Sequence, residues 1–479
     1  MALYAAVGNQ TGVGHQRNEF RDMALDYRLI QDCLSGQRHV KQRGVVYLPK
    51  PDAQDESEAN IQRYDDLLER ALFYNVTQST LSGLVGEVFA RDPVAELPIS
   101  FDVMLEDANG GNLTLIQLAK RATRYVLGKG RAGMLADYPQ TDGGVSADDV
   151  GKVKPTITVY ETENIINWRV DNEMSDGKLV MVVLCEQYDD GSDEFVIKPK
   201  TQHRVLRLTG GVYTTQIYRK GEDAHEVITP KDHAGNPFAR IPFTFIGSEN
   251  NDADIDHPPM LSLAYVNIAH YRNSASYEEG VYMIGQPTLV LSGLTKEWVE
   301  KVLNGGVRIG SRGAVMMPDG GDAHLISMEA NGAAHEAMEQ KERQMVALGG
   351  KLVEQKQVQR TATEAGNDNA SETSVLSSVV NNVTSAIEYI LKQCAMFTVG
   401  EVELTYKLNT EFSIASMTAQ ERQQLIAEWQ TGGISFSEMR AALRKSGIAT
   451  LDDAEAKTEI DAEDFRNEED EPPASGGEE

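Results

Sequence analysis

The sequence lacks the features that identify secreted, membrane-spanning and zinc-binding proteins. It has three cysteines in 479 residues, and Cys33, Cys185 and Cys394 lie far apart without a Cys-x-x-Cys pair. This spacing gives no indication of a disulfide framework or a zinc site. No stretch approaches the roughly 18 apolar residues of a membrane-spanning helix, and the first residues have neither the basic start nor the apolar run of a signal peptide. We therefore expect a cytoplasmic protein with reduced, mostly buried thiols.

The sequence also lacks the motifs that carry catalysis and nucleotide binding. It contains no GxxxxGK[ST], GxSxG, HExxH or EF-hand pattern. Gly305–Gly313 is the nearest approach to a phosphate-binding loop. It follows a predicted helix and precedes a predicted strand, so we favour a turn with two exposed arginines. The nine histidines are scattered and lack the spacing of metal ligands. We expect no catalytic residue, no metal and no cofactor.

An acidic loop precedes the predicted helices of the second half. Asp252, Asp254 and Asp256 alternate as in some cation-binding loops, but no glycine or downstream glutamate completes that pattern. We favour a solvated acidic loop at the start of the following helix over a specific ion site.

Positive charge is scarce in this sequence. The chain has 45 Lys and Arg against 73 Asp and Glu, for a formal net charge of −28. The segment 452–479 carries −11 of this charge and is predicted to be disordered. The remaining −17 argues against a surface that binds DNA phosphates tightly. Gln37–Lys50 is a rare basic stretch, which we interpret as a solvated loop followed by a strand in preference to a contact with DNA or a neighbouring subunit.

The length and the pattern of apolar residues predict an α+β protein with two or three domains. Hydrophobic residues make up 41% and charged residues 25% of the chain, as in ordinary globular proteins. Apolar residues at helical spacing predict helices at 18–31, 58–69, 76–89 and 112–127. Between positions 131 and 245, short strands follow one another with no room for helical crossovers. These strands are predicted at 133–139, 157–161, 165–170, 179–188, 194–198, 203–210, 212–219, 225–229 and 241–247.

The second half of the chain combines long helices with a small cassette. One helix opens at Pro258-Pro259 and runs to Met283, with apolar residues on more than one face. A second helix is predicted at 333–353, and a third begins near Ser371 with a regular apolar period. The segment 355–369 between them is polar and cannot form a core. The cassette is predicted to consist of strands at 287–291, 314–317 and 324–328 and a helix at 295–303.

The last part of the chain is predicted to return to strands and end in two helices. The strands are expected at 401–406 and 411–414. The helices are expected at 418–429 and 435–447, because each opens with a capping box of Thr or Ser followed by Glu. Thr295 is likewise placed to cap the cassette helix.

The order of helix, cassette, helix, polar segment and long helix resembles that of tailed-bacteriophage portal proteins. In that family these parts are the stem, clip, stem, tunnel loop and central helix. The residues that carry the resemblance are Pro258–Gly293 and Gln359–Val383, and Glu163–Arg169 and Gly432–Ile448 are also similar to portal segments. The resemblance implies an α+β multidomain subunit with a mixed α/β wing, a two-helix stem, a small αβ clip, a long central helix and a helical crown.

In portal terms the chain divides into eight parts. They are N-terminal helices and α+β wing at 1–257, first stem helix at 258–284, clip at 285–331, second stem helix at 332–354, tunnel loop at 355–370, central helix and return to the wing at 371–415, crown at 416–451 and acidic tail at 452–479.

The resemblance implies a ring-shaped DNA channel at a unique capsid vertex, used for genome packaging, head-tail joining and DNA ejection. Such a ring is a closed cyclic assembly of about twelve identical chains. The implied partners are double-stranded DNA bound without sequence specificity, a terminase motor, a tail adaptor protein and capsid or scaffold protein, with no membrane. The implied location is the virion, after assembly in the host bacterial cytoplasm.

Two segments hold the candidate site residues. The candidates bordering the DNA channel at the tunnel loop are Lys351, Lys356, Gln357, Gln359 and Arg360. The clip candidates for motor or adaptor docking and subunit contact are Trp298, Lys301, Arg308 and Arg312. The alternatives are a flexible surface connection for the first segment and a small subdomain with its own core for the second.

The two predicted stem helices expose apolar sides, and we expect sister copies of the chain to cover them. An acidic channel wall with few weak basic contacts would let a duplex slide. A different structural ring, such as an adaptor, baseplate or scaffold component of a virion, is the alternative function, and an enzyme is the third.

Overall fold

The computed structural model describes most of the chain. The described residues are 12–138, 154–171, 177–189, 191–220, 224–285, 288–302, 317–326, 332–353, 374–410, 412, 419–445, 449 and 451–459. They form an α+β fold, as the sequence predicts, with two compact units. Unit 1 comprises Met1–Leu81 and Pro258–Gly350, and unit 2 comprises Ser82–His257 and Lys351–Glu479.

The helices and strands follow one another in mixed order. The helices are α1 (Asn18–Ser35), α2 (Gln37–Gln42), α3 (Glu58–Arg70), α4 (Val76–Val88), α5 (Asp102–Glu106), α6 (Leu115–Lys129), α7 (Leu261–Ile284), α8 (Lys296–Val302), α9 (Ala333–Lys351), α10 (Val375–Thr398), α11 (Ala419–Gln430) and α12 (Phe436–Lys445). The strands are β1 (Val94–Glu96), β2 (Arg131–Asp137), β3 (Thr156–Glu161), β4 (Ile165–Asp171), β5 (Lys178–Asp189), β6 (Pro199–Thr209), β7 (Val212–Arg219), β8 (Phe243–Gly247), β9 (Thr288–Ser292), β10 (Asp322–Ile326) and β11 (Thr405–Lys407).

The predicted helices are confirmed, with ends shifted by a few residues. In α6 the cause of the shift is a capping box: the Thr114 hydroxyl accepts from the Gln117 backbone N–H at 3.2 Å, and the Gln117 side chain accepts from the Thr114 N–H at 3.1 Å. Both N-terminal donors are therefore satisfied, and the helix begins at Leu115 instead of Asn112.

The prediction of a loop and a strand for residues 37–50 is wrong. This segment forms α2 and a 3-10 turn at Gly44–Val46. The cause is a buried carboxylate of α1: Asp32 accepts from the Arg43 guanidinium at 2.6 and 2.9 Å and from the Tyr47 hydroxyl at 2.7 Å. Since a buried charge must be paired, the two side chains are drawn to one point, which a helical turn permits and an extended strand does not.

Unit 1 is helical around α7. Helices α1 and α3 both contact α7, and α1 presents Tyr27, Ile30 and Cys33 as fully buried residues of one face. Helix α1 ends at Gly36, whose φ of 88° is unfavourable for other residues and whose N–H bonds the carbonyls of Asp32 and Cys33.

Unit 2 contains two antiparallel sheets and a short strand pair. The strand order is β3-β2-β8 in the first sheet and β4-β5-β6-β7 in the second, and β1 pairs with β11. Helices α6 and α10 pack on the first sheet. Helix α10 buries residues at helical spacing along its length, as its sequence period predicts. They are Leu376, Val379, Val380, Val383, Ile387, Ile390, Leu391 and Cys394.

Several predicted strands of unit 2 are wrong. Residues 194–198 form no strand, because the β5-β6 ladder ends at the pair Asp189 and Pro199 and proline has no N–H to extend it. Residues 225–229 contribute only a single bridge, between Ile228 and Thr215. Of the strand predicted at 401–406, only the end is in β11. Residues 314–316, 411 and 413–414 lie outside the described residues.

A polar cluster joins the two sheets of unit 2. Glu186 accepts hydrogen bonds from the Tyr160 hydroxyl at 2.7 Å, the Gln202 amide at 2.9 Å and the Arg204 guanidinium at 2.8 Å. Arg204 also donates to Asp137 at 2.9 Å. Burial and the Glu186 charge raise the pKa of Tyr160 well above its usual range, so this hydroxyl stays a donor. The cluster fixes β5 and β6 against β2 and β3.

A pair of asparagine hydrogen bonds fixes α10 to the loop after β8. The Asn382 amide donates to the Gly247 carbonyl at 2.9 Å, and the Asn251 amide donates to the Asn382 carbonyl at 2.9 Å. Gly247 is required here, because a Cβ at this position would lie 2.1 Å from the Asn250 carbonyl oxygen.

The expectation of free, mostly buried thiols is confirmed. All three cysteines are free; Cys33 and Cys394 are buried and Cys185 is half-buried. Burial raises the pKa of each thiol above its ordinary value.

None of the helices in the described part of the chain is long and apolar enough to span a membrane.

Thiol labelling tests this packing. Because the thiolate is the reactive form, we expect maleimide at pH 8 to modify Cys185 slowly and first, and Cys33 and Cys394 only after unfolding. Intact-mass spectrometry of native and denatured protein counts the labels, and Cys185→Ser is the control that removes the native signal. Rapid native labelling of Cys33 or Cys394 would contradict the burial.

Candidate functional site: the α7 and α9 helix pair and its tip

Helix α7 begins three residues later than the double proline suggests. Pro258 and Pro259 lie in the preceding turn, where the Leu261 N–H bonds the Pro258 carbonyl at 3.1 Å. The prolines therefore preset the turn and leave Leu261 as the first helical residue.

A buried amide anchors the middle of α7. Asn267 is fully buried, and its Nδ2 donates to the Tyr74 carbonyl at 2.7 Å. Its Oδ1 accepts from the Thr77 N–H at 3.1 Å and the Thr77 hydroxyl at 2.9 Å. These bonds satisfy the backbone groups where the chain enters α4, so they fix α7 to this segment.

Further polar contacts fasten α7 on either side of Asn267. The Tyr265 hydroxyl donates to Asp26 of α1 at 2.7 Å, and Arg272 donates to the Tyr47 carbonyl at 2.7 Å. Glu279 accepts from Arg63 of α3 at 2.9 and 3.1 Å. Helix α7 is therefore held to the N-terminal helices over most of its length.

Helix α9 pairs with α7 in antiparallel register. His270 of α7 lies 3.2 Å from the Glu342 carboxylate of α9, between Nε2 and Oε1, and the rings of Tyr277 and His335 lie 5.9 Å apart. A step of seven residues forward on α7 thus matches seven residues back on α9. The expectation that sister copies cover the apolar sides of these helices stays a prediction, and the two helices also contact each other within one copy.

Most of α9 remains uncovered despite this pairing. Among its residues, all of which the structure describes, only Met345 is buried, and the neighbouring Val346 is 75% exposed. A helix with so little buried surface has weak packing within its own unit.

The end of α7 forms an apolar collar, defined as Val281, Tyr282, Met283 and Ile284. Their exposed fractions are 49%, 41%, 46% and 37%. Four successive residues cover the whole circumference of a helix at about 100° per residue. The Arg70 guanidinium lies 4.2 Å from the centroid of the Tyr282 ring. The collar is an exposed apolar surface of the kind that proteins cover in an assembly.

The tip, defined as β9, α8 and β10 with their connections, follows the collar. β9 and β10 pair antiparallel from Thr288 and Ile326 to Ser292 and Asp322. Thr295 caps α8 as predicted, since its hydroxyl accepts from the Trp298 N–H at 3.4 Å. None of the described tip side chains is buried. The alternative of a small subdomain with its own core stays untested, because 303–316 of the same segment lies outside the described residues.

The predicted site residues are only partly within the described structure. Trp298 and Lys301 lie one turn apart on α8, Trp298 half-buried and Lys301 exposed. Lys351 is the last residue of α9 and is exposed. Outside the described residues are Arg308, Arg312, Lys356, Gln357, Gln359 and Arg360.

The acidic loop before α7 is not simply solvated. Asp256 is buried, and its carboxylate accepts the N–H groups of Glu249 at 2.7 Å and Asn250 at 3.3 Å. Burial raises the pKa of Asp256, because removal from water disfavours the charged form. Within the described ranges, no group of three or more His, Cys, Asp or Glu is arranged to hold a metal ion.

Asn267, His270 and Glu342 are site residues that the sequence patterns do not predict. Asn267 and His270 are polar residues within an otherwise apolar stretch of α7. That position is a signal for a buried hydrogen bond, although it does not identify the partner.

One of the comparisons with known proteins covers this same region. A family model described as a domain of unknown function, DUF4055, matches residues 259–398, from the start of α7 to the end of α10. No curated protein matches the chain. Among solved structures, the chain is similar to one from the neck of an empty gene transfer agent particle computed with C6 symmetry, at 15% identity and a TM-score of 0.39, over 81% of this chain and 93% of that chain. It is also similar to a chain from the virion of a native gene transfer agent particle, at 15% identity and a TM-score of 0.40, over 86% of this chain and 99% of that chain.

Removing the Glu342 carboxylate tests the pairing of α7 and α9. We expect Glu342→Ala to lower the free energy of unfolding by about 1 kcal/mol, because the buried His270 loses its partner. Glu336→Ala is the matched control, since Glu336 is an exposed glutamate of the same helix. Guanidinium unfolding followed by circular dichroism measures both. Equal losses would assign the effect to the lost negative charge on α9 and not to the contact with His270, because alanine has the higher helix propensity.

Proposed function

We propose that the chain is a structural component of a phage-like particle and, more narrowly, a portal protein that forms a ring-shaped DNA channel at one capsid vertex. The observation that carries the proposal is the antiparallel pair α7 and α9 with the tip between them, followed in the chain by the long helix α10. This order corresponds to the stem, clip and central helix of the portal resemblance. We also propose that the protein has no catalytic activity of its own.

Ring formation would cover the surfaces that one copy leaves exposed. A closed ring of identical chains needs two different complementary faces on each subunit. In unit 1, α9 and the apolar collar are exposed on several sides, while α7 is fastened to the N-terminal helices. In the proposed ring, α7 sets the position of each subunit's stem and neighbouring copies cover α9 and the collar.

The proposed channel would guide DNA with weak contacts. Lys351 is the exposed end of α9 and opens the polar segment with Lys356 and Arg360. A net charge of −28 over the chain repels phosphates, so a few lysines and arginines would touch the duplex without holding it. The duplex would be bound through its backbone and without sequence specificity.

The remaining partners follow from the same proposal. The tip, with Trp298 and Lys301 at its surface and Arg308 and Arg312 in its sequence, would dock the terminase motor during packaging and the tail adaptor afterwards. The proposed wing within 1–257 would meet capsid or scaffold protein. The protein would act in the virion after assembly in the host bacterial cytoplasm.

The mass of the native assembly tests the ring. We expect native mass spectrometry to give a single closed oligomer of about twelve chains, with a mushroom outline and open centre in electron micrographs. Met283→Asp should weaken assembly because it places a charge in the collar, whereas Ile61→Asp, at 44% exposure against 46% for Met283, should not. A stable monomer would contradict the proposal, and a flat or closed particle would favour an adaptor or another structural ring.

Removing the basic residues of the tunnel loop tests the channel. We expect Lys351→Ala, Lys356→Ala and Arg360→Ala together to reduce the nuclease-protected DNA in packaged particles severalfold, since these groups make the weak phosphate contacts. The matched control is Lys220→Ala, Lys407→Ala and Lys457→Ala, which removes the same charge from exposed lysines elsewhere. Unchanged packaging by the first variant would refute the channel role of these residues.

A further inference from the structure

The chain passes between unit 1 and unit 2 at three points. These crossings come directly after Leu81, after His257 and after Gly350. The first lies inside helix α4, and the third lies inside the last turn of α9. Both helices are continuous where they cross. A change in the angle between the two units must therefore bend both of them.

Helix α4 is anchored in a different unit at each end. At its start, Thr77 is fully buried and bonds Asn267 of unit 1 at 2.9 and 3.1 Å. At its end, Val88 is fully buried, and the Glu87 carbonyl accepts from the Asn409 amide of unit 2 at 3.4 Å. Each half of α4 is thus fixed to its own unit, so bending falls on the residues between these anchors.

The middle of α4 contains two glycines, Gly83 and Gly86, that the packing does not require. A Cβ added at either position would have no atom within 4 Å, and neither glycine has a positive φ. Alanine would therefore fit both positions without strain. Glycine gives a helix more backbone freedom than any other residue, and a serine–glycine pair such as Ser82-Gly83 is a common position of helix bends. The segment that joins the units is therefore the weakest part of α4.

The end of α9 has the same arrangement. Met345 is fully buried in unit 1, and the Leu352 carbonyl, just past the helix, accepts the Leu376 N–H of unit 2 at 3.0 Å. Gly349-Gly350 lies between these two anchors. The second helical crossing thus also has glycines where the chain leaves unit 1.

The two glycines of α9 differ in their surroundings. A Cβ at Gly349 would lie 3.2 Å from Cγ2 of Thr80, so this glycine lets the end of α9 approach α4 closely. A Cβ at Gly350 would have no atom within 4 Å. The contact with Thr80 places the two helical crossings side by side, and Gly350 is the position that no contact requires.

The remaining crossing is stiff. The Ser248 hydroxyl donates to the His257 carbonyl at 3.1 Å. Pro258 and Pro259 follow, and their rings fix φ. A short connection with so little freedom can serve as the pivot, because it keeps the distance between the points that it joins almost constant.

We propose that α4 and the end of α9 form a hinge between the two units, with Gly83, Gly86 and Gly350 as its flexible positions. If only one helical crossing could bend, the other would hold the angle, and both have glycines that no contact requires. Hinges consist of a few residues that absorb changes of backbone angle while the packed cores stay intact. Unit 1, which carries α7, α9 and the tip, would change its angle to unit 2 without loss of either core. The inference concerns the single chain and does not depend on the proposed ring.

Alanine substitutions stiffen the hinge without damaging the fold. In the triple variant Gly83→Ala, Gly86→Ala and Gly350→Ala, each new methyl group enters open space. The variant should fold and should unfold about 2–4 °C above the wild type, because alanine favours the helix. Gly280→Ala is the matched control, since Gly280 is a glycine of α7 within unit 1 whose added Cβ also has no atom within 4 Å.

Distances between spin labels measure the hinge. In a Cys185→Ser background, Arg38→Cys and Lys220→Cys place one label at an exposed position of each unit. The reference pair is Lys220→Cys with Lys407→Cys, both exposed in unit 2. Labelled chains are diluted with unlabelled protein and measured by electron paramagnetic resonance. We expect the distance distribution between the units to be about twice as wide as the reference, and the triple variant to narrow it by about half.

Three results would overturn the hinge. A distribution between the units as narrow as the reference would make them one rigid body. An unchanged width in the triple variant would place the bending outside these glycines. Equal narrowing by Gly280→Ala would assign the effect to general helix stabilisation. Because the measurement needs no assembled particle, a failed hinge leaves the proposed portal intact, and a monomer with a wide distribution supports the hinge and overturns the portal.

Discussion

The position of α7 depends on one buried amide. An asparagine without partners in an apolar core would cost about 1–3 kcal/mol for each unsatisfied group. Asn267 avoids this cost by bonding the Tyr74 carbonyl and both donors of Thr77. The same bonds place the polar residues on either side of it opposite α1 and α3, and they hold His270 where α9 can reach it. The tip and the collar extend from a helix that is already fixed.

Local signals in the sequence predicted much of this fold. Helices α6, α8 and α10 have capping residues and a clear apolar period, and the information for both lies within a few residues. The alternation of apolar and polar residues, and the turns between the runs, predict the strands β2 to β7. For the site, the order of α7, tip and α9 was predictable, and so was the cap at Thr295.

The remaining features depend on contacts between distant residues. Asp32 draws Arg43 and Tyr47 into a helical turn where the sequence suggested a strand. The partners of Asn267 lie 190 and 193 residues away in the chain. The ladder between β5 and β6 ends at Pro199, so the apolar run at 195–197, which resembles a strand in sequence, is an exposed connection. The partners of Asn267 share no window of the sequence, and the spacing of Asp32 from Arg43 and Tyr47 does not identify them as partners, so local patterns did not predict these contacts.

The unequal attachment of α7 and α9 has a mechanical consequence. Helix α7 is joined to the N-terminal helices by hydrogen bonds that begin at Tyr265 and extend along the helix as far as Glu279. Helix α9, in contrast, buries a single side chain, that of Met345. Stiffness in a protein follows the density of such contacts. Under a load applied at the tip, we expect α7 to behave as the rigid member and α9 as the compliant one. The tip would then tilt about the end of α7 while the length of the pair stayed constant.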